Sequence, residues 1–89
     1  MNKHDTLRLR GQALKAVLKK ERISFYQVQG ICKKVLDKIK FDKYSEAKGI
    51  IFEAYISAKI PVPEEVINLE GDDFYIFIGG LLPGREEFE

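Results

Sequence analysis

The 89-residue chain is 45% hydrophobic and 33% charged, a balance that suits a folded globular domain and argues against intrinsic disorder. Its single cysteine, Cys32, excludes an intramolecular disulfide, and no apolar run reaches the ~18 residues of a membrane span. The net charge of +1 conceals a division: residues 1–45 hold twelve Lys and Arg against four Asp and Glu, and residues 46–89 hold three against ten.

One domain over residues 1–89 is expected at this length. The opening MNKHDTLRLRGQ has no apolar signal core, and with the lone cysteine it fits a reducing, cytoplasmic setting. A first helix is expected over about 6–22. Thr6 follows Asp5 as its cap, and Leu7, Leu14, Val17 and Leu18 form an apolar stripe. Leu9 and Gly11 make its start less regular.

The second helix, over 24–40, carries the clearest signature. Ser24 and Gln27 form a capping box, and Val28, Ile31, Cys32, Val35, Leu36 and Ile39 recur at intervals of 3, 1, 3, 1, 3. The third, over 45–59, repeats that spacing with Ala47, Ile50, Ile51, Ala54, Tyr55 and Ala58. Ser45 reads as its cap, and Phe52 and Ile56 lie off the stripe, which calls for cover on a second side.

Pro61 and Pro63 end the helical region, because proline lacks a backbone donor and pushes its predecessor out of helical geometry. Phe74 to Ile78 is aromatic and β-branched, and Glu70-Gly71-Asp72-Asp73 before it is a turn signal. The expected structure is a β-hairpin, 65–69 with 73–78, or a short extended apolar segment within 65–82. A competing reading is a short helix over 63–69, with Pro63 first and Glu64 and Glu65 in the first turn. Gly79-Gly80 then bends the chain so that Leu81 and Leu82 fold back, and 85–89 is a frayed acidic tail. The expected class is mostly α (α+β): a three-helix bundle followed by a C-terminal hairpin.

Catalytic constellations are scarce. His4 and Cys32 are each the only residue of their kind, so no Cys/His metal set exists. Cys32 lies on an apolar helix face, whereas a reactive thiolate needs an electropositive, accessible niche. Asp72-Asp73 lacks the ligand spacing of a calcium loop, and Gly79-Gly80 lacks the following lysine of a phosphate loop. No enzyme, metal or cofactor is expected, and no motif carries a resemblance to a known family.

Binding is the expected function. In a strand, Phe74, Ile76 and Ile78 would face one way and Tyr75 and Phe77 the other, so both faces would need cover. Phe74, Tyr75, Phe77, Leu81 and Leu82 are therefore the candidate interface for a homo-oligomer or another protein. Lys15, Lys19 and Arg22 on the first helix, with Lys33, Lys34 and Lys38 on the second, are the candidate basic face. The leading expectation is a regulatory protein acting through protein–protein contacts, of a size that suits an inhibitor or accessory factor of a phage or mobile element. A DNA- or RNA-binding regulator using the lysines is the first alternative. Sequestration of a small anionic ligand by an oligomer is the second.

Overall fold

A computed structural model describes residues 2–88 of the chain. Asn2 starts the first helix: its carboxamide oxygen accepts the Asp5 N–H at 2.8 Å. Helix α1 (Lys3–Lys20) thus begins before Thr6, whose hydroxyl instead donates to the Asn2 carbonyl from inside the first turn. Helix α2 (Phe25–Lys40) starts as expected, with Ser24 and Gln27 satisfying each other's backbone N–H groups at 3.1 and 2.9 Å. Helix α3 (Tyr44–Ala58) has Lys43 at its N-cap, without a side-chain bond, so Ser45 lies inside the helix rather than capping it.

Among the described residues the C-terminal third holds no hairpin. Pro63 caps helix α4 (Glu64–Ile67), helix α5 spans Asp73–Leu81, and Arg85–Phe88 is a 3-10 turn. The described residues thus form five α-helices and one 3-10 helix, with no strand. The reason lies in burial. Phe74, Phe77, Ile78 and Leu81 fall at i, i+3, i+4 and i+7, and all four are buried. A strand would have split them between two faces. Packing of one helical stripe against α1 outweighs the β preference of the aromatic and branched side chains.

Helix α1 is the hub, lying against α5 most extensively and also meeting α2, α3 and α4. Helices α2 and α3 pack together beside it. The core joins Leu7, Leu14 and Leu18 of α1 to Val28, Cys32, Val35 and Ile39 of α2 and to Ala47, Ile51, Ala54, Tyr55 and Ala58 of α3. Val66, Leu69 and the α5 stripe close it. Phe52 receives partial cover, whereas Ile56 is 74% exposed.

Three helices end on a left-handed residue that is not glycine: Arg22, Asp42 and Lys59, with φ of 65°, 58° and 60°. After each, the next N–H reaches back to a carbonyl five residues earlier, as Ile23 to Leu18, Lys43 to Lys38 and Ile60 to Tyr55. No described helix is long and apolar enough to cross a membrane.

Candidate binding surface

The structure divides the six expected basic residues into two sets. Lys15 and Lys38 are committed within the molecule. The Lys15 ammonium donates to the Leu82 carbonyl at 3.1 Å and pairs with Glu87 at 3.1 Å, leaving its side chain only 15% exposed. Lys38 pairs with Glu46 at 3.1 Å, and this partner holds the Glu46 carboxyl below its ordinary value. Lys19, Arg22, Lys33 and Lys34 are exposed and make no ion pair among the described residues; the same holds for Lys20, Lys40 and Lys43.

The ion pairs account for part of the charge division. Lys3–Asp73, Arg10–Glu65, Lys15–Glu87 and Lys38–Glu46 each join a base of the first half to an acid of the second. Asp73 is almost buried and also accepts the Glu70 N–H at 3.3 Å, so it fastens the start of α5 to the start of α1. Lys48 adds a bond of 2.6 Å to the Ile67 carbonyl, tying α3 to α4. Among the described residues, the bases of the first half left without an ion pair are concentrated at the end of α1, in the α1–α2 turn, on α2 and just past it.

The expected apolar interface is corrected by the fold. Phe74, Phe77 and Leu81 have no exposed surface, because they are the stripe that α5 buries against the helices. Tyr75 and Leu82 alone of that set are exposed, at 51% and 46%. The more exposed aromatic rings stand elsewhere. Tyr26, in the first turn of α2, and Phe41, just past its last residue, are each 68% exposed. Between them α2 presents Lys33, Lys34 and Lys40 to solvent. The sequence offered a signal for this surface, since Tyr26 and Phe41 both lie off the apolar stripe of the second helix.

Of the tail expected to fray over 85–89, residues 85–88 are instead docked, and Glu89 lies outside the described residues. The Glu87 carboxylate accepts the Gly84 N–H at 2.7 Å and receives Lys15; these contacts, the first above all, hold its carboxyl below the ordinary value. Phe88 stands edge-on to Phe25, and the Arg85 guanidinium lies over the Phe25 ring, 5.6 Å from its centre.

Two buried groups, the Cys32 thiol and the Tyr55 hydroxyl, lie away from this surface. Burial pushes the Cys32 thiol up to about 11, which makes it a core residue without thiolate character at neutral pH. The Tyr55 hydroxyl is buried with no hydrogen-bond partner among the described residues, and burial pushes it up to about 12. Its ring lines a shallow cleft with Arg10, Leu14, Ile60, Pro61 and Pro63. His4 is exposed on α1, and among the described residues no group of three or more His, Cys, Asp or Glu is placed to hold a metal ion. No protein-family model, no curated protein and no solved structure matches the chain.

Proposed function

We propose that the chain is a non-enzymatic regulatory protein that binds an acidic protein partner through the exposed face of α2 and the α1–α2 turn. The observation that carries this reading is the pair of exposed aromatic rings, Tyr26 and Phe41, at the two ends of a helix whose outer lysines, Lys33, Lys34 and Lys40, make no ion pair among the described residues, Lys40 lying instead over the Phe41 ring. Exposed aromatic side chains are the residue type that anchors interfaces, and unpaired lysines around them steer an anionic surface into register. Self-association through the C-terminal segment is not part of this reading, since only Tyr75 and Leu82 of that set reach the surface.

A second reading, nucleic-acid binding, draws on the seven unpaired bases of residues 19–43. Its affinity would fall steeply with salt as phosphate counterions are released.

The native mass of the protein isolated from its host, with and without nuclease, separates the two. A stoichiometric protein partner that survives nuclease and is lost in Tyr26→Asp and in Lys33→Glu/Lys34→Glu supports the first reading. Co-isolated nucleic acid, removed by nuclease, moves the assignment to the second. A bare monomer under both conditions overturns both.

A further inference from the structure

The docked segment Arg85–Phe88 describes the site it sits in. One wall is α1, where Lys15 receives Glu87 and Lys19 lies on the same side of the helix. The other wall is the first turn of α2, where Phe25 meets both Phe88 and Arg85. Open clefts of about 410 and 330 Å³ flank the segment. Gln12, Lys15, Ala16 and Lys19 line the first, and Ser24, Phe25 and Tyr26 line the second.

The attachment runs through side chains. Among the described residues no backbone–backbone bond joins the segment beyond Leu82 to the helices; the Glu87 N–H donates within it, to the Gly84 carbonyl. It is held to the helices by a carboxylate on Lys15, an aromatic ring on Phe25, and a guanidinium on Phe25 and the Tyr26 hydroxyl. A separate peptide with the same side chains could reproduce each of these contacts. Lys15 is also unlike the other bases of this region: it is largely withdrawn from water and its donors point at one carboxylate and one carbonyl. A charge so placed favours an anionic occupant and penalises an empty groove.

We propose that the groove between α1 and the start of α2 is a docking site for an acidic–aromatic segment of a protein partner, a glutamate followed by a phenylalanine. The chain's own Glu87 and Phe88 fill it when that partner is absent. The inference rests on the reading that the partner is an acidic protein, and it adds the chemistry of the segment recognised. The tethered tail competes at an effective concentration of about millimolar, so it screens out weak binders.

The test uses the full chain and a synthetic peptide of residues 83–89, PGREEFE. Glu87→Gln/Phe88→Ala releases the tail in place, and backbone amide shifts of Lys15, Lys19 and Phe25 report occupancy. The released variant is expected to bind the peptide at least tenfold more tightly than the wild-type chain. Lys15→Ala added to it, or the same two changes made in the peptide, should abolish that gain. Should the double variant unfold, Glu87→Gln alone, which frees Lys15 of the tail's carboxylate, serves the comparison with a smaller but still Lys15-dependent gain. A folded released variant whose amides do not respond, or a Lys15→Ala variant that binds unchanged, overturns the proposal. So does a wild-type dimer held by exchanged tails. If the peptide fails while Lys33→Glu/Lys34→Glu still loses the host partner, the groove assignment falls and the function proposed above stands.

Discussion

Gly11 and Gly80 lie where α1 crosses α5, and each seats directly against the backbone of the other helix, which fills the space its own side chain would need. A Cβ on Gly11 would collide with the Phe77 carbonyl oxygen and lie 2.8 Å from the Leu81 nitrogen. One on Gly80 would collide with the Arg8 carbonyl oxygen. Backbone cannot move aside as a flexible side chain can. Gly11→Ala and Gly80→Ala should therefore each destabilise the protein by about 2–3 kcal/mol. The neighbouring Gly79 faces open space within the same helix, so Gly79→Ala should stabilise it by about 0.5–1 kcal/mol. Urea midpoints of the three variants decide the matter; equal effects at positions 79 and 80 would refute the close crossing.

The left-handed turn at Asp42 offers a second gain. An L side chain in that conformation costs roughly 1–2 kcal/mol, a cost glycine does not incur. Asp42→Gly should recover about 0.5–1 kcal/mol, net of the added freedom of the unfolded chain. For a domain of this size that is a rise in Tm of a few degrees, on the order of 2–8 °C. Calorimetry reads it directly, and a fall in Tm would show that the Asp42 contact with the Tyr44 hydroxyl matters more.

Tyr55→Phe removes a hydroxyl that has lost water and gained no partner among the described residues. An unsatisfied buried polar group costs about 1–3 kcal/mol, so the variant should be at least as stable as the parent, and more stable by about 1 kcal/mol if the ring stays in place. Loss of stability would place a hydrogen-bond partner at that oxygen.

Acid should loosen the tail. The Glu87 carboxyl is held below its unfolded value of 4.5, so its contribution is present above that pH and is lost as pH falls through the folded value. Glu46 and Glu65 are shifted the same way, Glu46 by Lys38 and Glu65 by a backbone bond and Arg10. Stability should therefore decline below about pH 4.5. Glu87→Gln should remove the tail's part of that decline, visible as Lys15 amide shifts that no longer move between pH 6 and pH 3.

Cys32 should report global opening. With its thiol raised to about 11 and its side chain buried, it should resist a thiol reagent at pH 8 in the folded protein. Reaction should become rapid once urea unfolds the chain. Fast labelling without denaturant would mean that α2 opens locally.

Much of α2 and α3 could be read from the chain because their signals are local. The Ser24–Gln27 box sits next to the helix it starts, and the 3,1,3 spacing repeats within each helix. The last third was harder because its decisive facts are long-range. Phe74, Phe77, Ile78 and Leu81 satisfy a helical period, yet their side-chain types favour a strand. Only the close seat of Gly80 on α1 shows which preference prevails. Left-handed Arg22, Asp42 and Lys59 carry no glycine to announce them. The basic residues were visible as a set, but not their commitments. Lys15 and Lys38 could be separated from Lys19, Lys33 and Lys34 only once their acidic partners had been brought beside them.

The crossing of α1 and α5 also sets an order of events during synthesis. Helix α1 leaves the ribosome early, and the residues that seal its stripe follow about 70 positions later. At about 5–20 residues per second, several seconds pass with Leu7, Leu14 and Leu18 lacking their final cover. Until α5 emerges the nascent chain therefore exposes apolar side chains that the finished fold buries, and a ribosome stalled before residue 74 would hold a chain that cannot finish its core.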